Sequence, residues 1–249
     1  LPGGGILRAV TESRGSHPLS GRARGLVVAI DGPSSSGKST VGAEAARRLR
    51  YRFCDTGLLY RAVTWLALTR GISPADVANV VPLAEEVRLV ADSRGRLRRV
   101  ETGGRDVTAE VRGAVVDRAV SDYSKVSELR TALVPRQRAI AGDGGIIMAG
   151  RDIGTVILPD ADVKIYLDAS AEERARRRAA QRRTADESKV GQILEELRRR
   201  DSIDSSRETA PLRTAPDACI IKTDGNSFEQ TVGAVLRAIR EVQRGERGR

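Results

Sequence analysis

Nine consecutive residues, Gly32-Pro33-Ser34-Ser35-Ser36-Gly37-Lys38-Ser39-Thr40, set two glycines, a lysine and several hydroxyls in a spacing that suits the capture of a polyphosphate. Glycines let the backbone curl so that successive N–H groups converge on phosphate oxygens. A helix starting at the end of the loop adds the positive end of its dipole. Lys38 is placed to reach the β- and γ-phosphates, and the Ser39 hydroxyl to ligate Mg²⁺, partly through water. A nucleoside triphosphate with Mg²⁺ is the expected ligand. A Gly/Ser-rich turn can match such a pattern by chance. Here the apolar run Leu26-Val-Val-Ala-Ile30 precedes the loop and a helical pattern follows it, the setting the motif requires. The loop alone does not name a reaction, because GTPases, motor-type ATPases and small-molecule kinases all carry it. The guanine-specifying Asn-Lys-x-Asp of a GTPase is absent. Leu167-Asp168 is the nearest match to the acidic strand end of a larger ATPase, but it runs directly into a capped helix.

A second set of residues combines arginine and aspartate beside expected strand ends. Asp55-Thr56-Gly57-Leu-Leu-Tyr60-Arg61 follows one strand and Gly150-Arg151-Asp152 another. Arg174, Arg177 and Arg178 lie on a basic helix, and Arg200, Asp204 and Arg207 flank the end of the next. Each has a plain alternative. Arg61 could be a solvated helix residue, Gly-Arg-Asp an ordinary turn, and Arg174 to Arg183 a solvated face. Beside a phosphate loop the functional reading gains weight, since two anionic substrates need several cations and guanidinium binds phosphate oxygens two at a time.

The elements that must position these groups are legible as alternating strands and helices. A strand at Leu26–Ile30 leads through the loop to a helix at about Lys38–Arg50, then a short strand near Tyr51–Cys54. A helix at Thr56–Thr69 is ended by Gly71, and Ser73-Pro74 looks like the cap and first turn of another. From Val87 to Val107 scattered apolar residues and turns at Ser93-Arg94-Gly95 and Gly103-Gly104 read as an antiparallel hairpin unit inserted into the main fold. Helices resume over Gly113–Ala141, followed by core strands at Gly145–Ala149 and Val163–Leu167. Ser170-Ala-Glu-Glu173 fits a capping box that opens the basic helix. A charged helix at Lys189–Arg200, a strand at Ala218–Ile221 and an amphipathic helix at Ser227–Arg240 complete the pattern, with a polar tail over 241–249. Strand–helix alternation predicts an α/β fold with a parallel sheet, and ligands in such a sheet sit at the carboxyl ends of the strands.

Composition narrows the field. The chain has 249 residues, enough for one large domain or a core with insertions. Aromatics are only 3%, so the core must rest on Val, Ile, Leu and Ala, and stacking platforms for single-stranded nucleic acid are scarce. The net charge of +10 suits anionic ligands; its arginine bias is also what a GC-rich genome produces. Cys54 and Cys219, both in apolar stretches, read as small core residues in a reducing compartment. The one histidine, His17, lies in a polar leader, which argues against histidine-based catalysis or a histidine-ligated metal. No apolar run is long enough for a transmembrane helix. Residues 1–24 are rich in Gly, Arg and Ser without an apolar core, unlike a secretory signal, and are expected to form a disordered leader. A cytoplasmic monomer that binds neither nucleic acid nor membrane is the expectation.

Taken together, the segments Ile30-Asp-Gly-Pro-Ser-Ser-Ser-Gly-Lys-Ser-Thr40, Asp55-Thr-Gly-Leu-Leu-Tyr-Arg61, Ala149-Gly-Arg-Asp-Ile-Gly-Thr155 and Pro159-Asp-Ala-Asp-Val-Lys-Ile-Tyr-Leu-Asp-Ala169 resemble the bacterial cytidylate kinases. Glu172 to Arg178 and Arg200 to Pro211 extend the resemblance, which runs from about Leu26 to Arg240. It implies a P-loop nucleoside monophosphate kinase fold over 25–240: a parallel-sheet core (25–55, 113–170 and 208–240) with helices on both faces, a monophosphate-binding part at about 56–112 and a short lid at about 174–190. It implies that Ser121, Arg130 and Asp152 read the cytosine edge and that Arg200 and Asp204 hold the ribose. Thr56, Arg61, Arg151 and Arg207 would surround the acceptor phosphate, with Tyr60 and Ser34 also on the acceptor side. Arg174, Arg177 and Arg178 would belong to the lid around ATP, and Lys38, Arg151 and Arg178 would carry the transfer. Thr56 stands where this family commonly has Ser, with the hydroxyl kept, and 181–188 aligns least clearly.

The implied reaction is ATP plus CMP or dCMP giving ADP plus CDP or dCDP. Its acceptor is a phosphate already ionised near neutral pH, so it needs alignment and charge neutralisation more than a general base. The rivals are another P-loop small-molecule kinase of uridylate, adenylate or shikimate type, a nucleic-acid-binding ATPase suggested by the basic charge, and a nucleotide binder without turnover.

Overall fold

A computed structural model of the chain describes residues 25–142 and 144–247; the expected leader at 1–24 lies outside them. In chain order the elements are β1 (Val27–Asp31), α1 (Lys38–Leu49), β2 (Arg52–Asp55), α2 (Gly57–Thr69), α3 (Val77–Val80), α4 (Leu83–Glu86), β3 (Val87–Ala91), β4 (Arg96–Thr102), β5 (Arg105–Asp106), α5 (Ala114–Tyr123), α6 (Ser127–Ala141), β6 (Ile146–Ala149), β7 (Val163–Asp168), α7 (Ala171–Gln181), α8 (Glu187–Ser205), β8 (Cys219–Lys222) and α9 (Phe228–Arg247). A single 3₁₀ turn at Glu110–Arg112 and a π turn at Ile153–Ile157 interrupt the loops.

One sheet has the order β3-β4-β2-β6-β1-β7-β8, with β5 beside β4. The pairs β2–β6, β6–β1, β1–β7 and β7–β8 are all parallel. Consequently the carboxyl ends of β1, β2, β6 and β7 share one edge. Alternation along each central strand feeds two layers. Val28 and Ile30 of β1 and Ile147 of β6 join a core with Val41, Ala45 and Ala46 of α1 and Val232, Val235 and Ile239 of α9. Ala29, Ile146 and Met148 face the opposite side, with Cys54, Ile153 and Ile157. A third cluster joins α2, α5 and α6 to the antiparallel strands through Leu59, Val63, Val87, Val100, Leu129 and Leu133. The α7–α8 pair has a small core of its own, Ala175, Ala179, Ile193 and Leu197.

Several sequence expectations need extension or correction. The antiparallel hairpin expected at Val87–Val107 forms, with β3 and β5 flanking β4, and what the sequence did not show is that β4 pairs in parallel with β2 through Phe53–Arg96 and Cys54–Leu97, so the unit widens the main sheet. Ser73-Pro74 does not cap a helix; Asp76 does, accepting from the Asn79 amide at 3.3 Å. The capping box is half formed: Ser170 Oγ accepts from the Glu173 amide, but the Ser170 amide donates to Asp224, and Glu173 turns to Arg176 and Arg177. The charged helix is longer than Lys189–Arg200 because Asp186 caps it, accepting from the Ser188 and Lys189 amides. The final helix continues through most of the expected tail, since Val242 packs on the core and Gln243 donates to the Tyr51 hydroxyl at 2.8 Å. Cys54 is buried as expected, but Cys219 is exposed on the edge strand β8.

Candidate active site

The loop after β1 behaves as its residues dictate. Gly32 has φ +146°, and a Cβ there would come within 2.3 Å of the Leu167 carbonyl oxygen. Gly37 has φ +96° and sits at the start of α1, where a side chain would strain the backbone. Lys38 is buried and curls back over the loop, donating to Pro33 O at 2.5 Å and Ser36 Oγ at 3.3 Å. Burial first, then the Arg151 guanidinium, push its ammonium well below the ordinary lysine range. Ser39 and Thr40 are exposed; Ser39 Oγ donates to Asp55 Oδ2 at 2.6 Å and Thr40 Oγ1 to Gly37 O at 2.9 Å.

The shared strand edge brings Asp55, Thr56, Arg151 and Asp152 round the same cleft of about 930 Å³, together with Ser34, Ser35, Lys38, Tyr60, Arg61, Arg130, Arg177, Arg178, Arg200, Asp204 and Arg207. Thr56 is buried and donates to Ala149 O at 3.0 Å, tying α2 to the end of β6. Arg130 on α6 is buried against Asp152, with Nη2 2.6 Å from Oδ2, and its guanidinium lies 5.1 Å from the centre of the Tyr60 ring. Arg151 Nε donates to Asp204 Oδ2 at 2.8 Å, and Arg207 bonds the other oxygen of the same carboxylate. Burial alone would raise Asp204, yet Arg151, Arg207 and Arg200 outweigh it and hold the carboxyl below its ordinary range. Arg200 is pushed down to about 9 by burial and by Arg151. The Nε atoms of Arg130, Arg200 and Arg207 are buried without a hydrogen-bond partner.

Not every expected residue faces the cleft in the same way. Arg174 is buried outside it, donating to Ala169 O and Ser34 O and pairing with Asp201 at 2.6 Å. Arg177 donates to Thr223 O at 2.6 Å and Thr223 Oγ1 at 3.0 Å. Both guanidiniums brace carbonyls around the phosphate loop. Arg178 Nη1 lies 3.4 Å from Ser35 Oγ and reaches the cleft. Ser121 is buried and lines a smaller neighbouring cavity, not the main one. Pro33, Ser36 and Gly32 shape the loop from behind.

Sequence reasoning missed Asp31, Asp117 and Arg112. Asp31 ends β1 and is buried, accepting from the Ile153 and Gly154 amides at 2.9 and 2.7 Å, so it fixes the turn that presents Arg151 and Asp152. Burial raises its carboxyl to about 6. Its place immediately before the first loop glycine was a usable signal. Asp117 pairs with Arg61 and Arg178; nothing local in the sequence of α5 marks it. Arg112 lines the cleft from the 3₁₀ turn.

Among the described residues no helix is long and apolar enough to cross a membrane. The sequence profile of the family described as cytidylate kinase matches residues 28–241. A cytidylate kinase of Mycobacterium avium (strain 104) is 46% identical over 220 residues, covering 87% of this chain and 96% of that protein. One from Geobacillus kaustophilus (strain HTA426) is 44% identical over 221 residues, covering 88% and 98%. Among solved structures the likeness is remote: a shikimate kinase from Acinetobacter baumannii is 16% identical, with a TM-score of 0.43, over 87% of this chain and 94% of that one. A loop built for a triphosphate, an arginine-lined partner site at the same sheet edge and the family match over nearly all of the described chain agree: this chain belongs to the cytidylate kinase family.

Proposed function

We propose that the chain transfers the γ-phosphoryl group of ATP to CMP or dCMP, with the phosphate loop holding the donor and the arginine-rich end holding the acceptor. The observation that carries this reading is the meeting of Lys38, Arg61, Arg151 and Arg178 round one cleft, supported by the family's activity. Lys38 would leave Pro33 O for the transferring phosphate. Arg61, Arg151 and Arg207 would orient the acceptor phosphate, while Arg130 and Asp152, already fixed against each other, would present paired donor and acceptor atoms to cytosine. Arg200 and Asp204 would meet the ribose. Transfer then depends on alignment and on spreading charge over guanidinium groups, which no general base has to assist.

Ser39 and Asp55 form a hydroxyl–carboxylate pair 2.6 Å apart at the open end of the loop, hard oxygen donors that fit Mg²⁺. They would hold the ion together with its waters and the ATP phosphates; when bound it neutralises charge on the β- and γ-oxygens. The α7–α8 pair, with its separate small core, would serve as the lid that excludes water. The chain would act as a monomer in the cytoplasm, whose reducing conditions suit the unpaired Cys54 and Cys219.

A coupled assay with ATP and a series of acceptors tests the reading. CMP and dCMP are expected to turn over fastest, with UMP, AMP, GMP and shikimate slower. Equal rates with CMP, AMP and GMP contradict the cytosine-reading roles of Arg130 and Asp152.

A further inference from the structure

Asp117 stands in the first turn of α5, on the boundary between the main cleft and the smaller cavity beside it. Its carboxylate is the meeting point of four guanidinium groups. Oδ1 accepts from Arg61 Nη2 at 2.5 Å, and Oδ2 accepts from Arg178 Nη2. Arg200 Nη1 is 3.7 Å from Oδ1 and Arg182 Nη2 3.6 Å from Oδ2. These arginines come from α2, α7, the turn after α7, and α8, so one side chain ties the monophosphate-binding part to the expected lid. Apart from Asp117, Arg61 and Arg178 have only long contacts, each 3.4 Å, to Val111 O and Ser35 Oγ. Glu196 pairs with Arg182 at 3.3 Å, so two carboxylates face four guanidiniums, and the remaining positive surplus suits an anion of higher charge than a carboxylate.

We infer that Asp117 is an internal stand-in for substrate phosphate: it holds Arg61 and Arg178 together across the cleft and gives them up when a phosphoryl group arrives. The inference rests on the reading of Arg61 and Arg178 as phosphate ligands. It makes Asp117 a positioning residue with two opposed effects. Its charge competes with phosphate for the same donors, which weakens anion binding. In return it keeps mutually repelling arginines within reach of one another, so that the lid side and the acceptor side already face a common point before substrate enters.

The competition has a sign that a structural role does not share. Asp117→Asn keeps the shape and removes the charge. Titration calorimetry of the full chain with pyrophosphate is expected to show binding about tenfold tighter or more in this variant, because removal of a carboxylate within hydrogen-bond distance of two guanidiniums eliminates the competitor. The KM for CMP is expected to fall with it, and the gain in pyrophosphate affinity to shrink when Arg178→Ala is added. Unchanged or weaker pyrophosphate binding in Asp117→Asn overturns the inference. Should that variant not fold, Asp117→Ser provides the same comparison, and failure of both to fold makes the residue a structural one and overturns the inference as well. Failure of the underlying reading looks different: an Arg61→Ala variant with wild-type KM for CMP removes Arg61 from the acceptor site whatever Asp117 does.

Discussion

In the proposed reaction the loop Gly32–Thr40 and the arginine cluster opposite it hold the same chemical group by different means. The loop relies on backbone N–H groups, a helix end and one lysine, all supplied by a single stretch of chain. The cluster relies on guanidinium groups from α2, α6, α7, the loop after β6 and the segment after α8, paired with Asp117, Asp152 and Asp204. Local geometry can be specified by glycines at fixed positions. Five arginines from distant segments cannot be left unbalanced in a half-buried cleft, because each charge would pay its desolvation alone. The acceptor end therefore carries its own anions, and its stability and its function are coupled in a way the loop's are not.

That contrast can be broken at either end. The largest effect on stability is expected at Arg130. Arg130→Ala leaves the Asp152 carboxylate buried and unpaired, which costs about 3–5 kcal/mol. Urea unfolding of the variant and the wild type reads the difference, and a loss below about 1 kcal/mol contradicts a coupled acceptor end. Lys38→Ala should do the reverse, lowering kcat/KM about 10²- to 10³-fold while the melting temperature holds. Near-wild-type turnover there removes the loop from the chemistry.

Asp31 links the two ends, and pH tests it. Its carboxyl is raised by burial to about 6, above the unfolded value of about 4. Between those values the folded chain keeps a proton that the unfolded chain has lost, so this group's contribution to stability falls as pH rises through the window. Asp31→Asn removes that slope. The wild-type-minus-variant stability should therefore decline by up to about 3 kcal/mol from about pH 4 to about pH 7, measured by denaturant unfolding at each pH. Parallel pH profiles contradict a raised Asp31 carboxyl. The smallest effect belongs to the start of α7. Ser170→Ala removes the cap that accepts from the Glu173 amide and should cost about 1 kcal/mol without changing kcat.

What the sequence revealed divides along the same line. The donor loop and its flanking strand and helix were legible because motif, strand and cap are contiguous. Arg61, Arg151 and Arg207 were legible as candidates because they follow strand and helix ends, and the sheet order then brings them together. Their partners were not. Asp117 sits mid-pattern in an amphipathic helix, and only the packing of α2, α5, α7 and α8 shows that four arginines converge on it. Arg174 and Arg177 are expected ATP ligands by position on a basic helix; the structure adds that Arg174 braces the Ala169 and Ser34 carbonyls, while Arg177, which lines the cleft, also holds Thr223. The pairing of β4 with β2 was hidden for a similar reason: a register that joins Phe53 to Arg96 and Cys54 to Leu97, far apart in sequence, leaves no local trace.

The account stands on one cleft holding donor and acceptor together. Titration of the chain with an analogue that joins adenosine and cytidine through five phosphates tests this most directly. One analogue is expected to bind per chain and to displace both ATP and CMP, with affinity lost in Lys38→Ala and in Arg61→Ala alike. Displacement of ATP alone, or indifference to Arg61→Ala, contradicts a shared cleft.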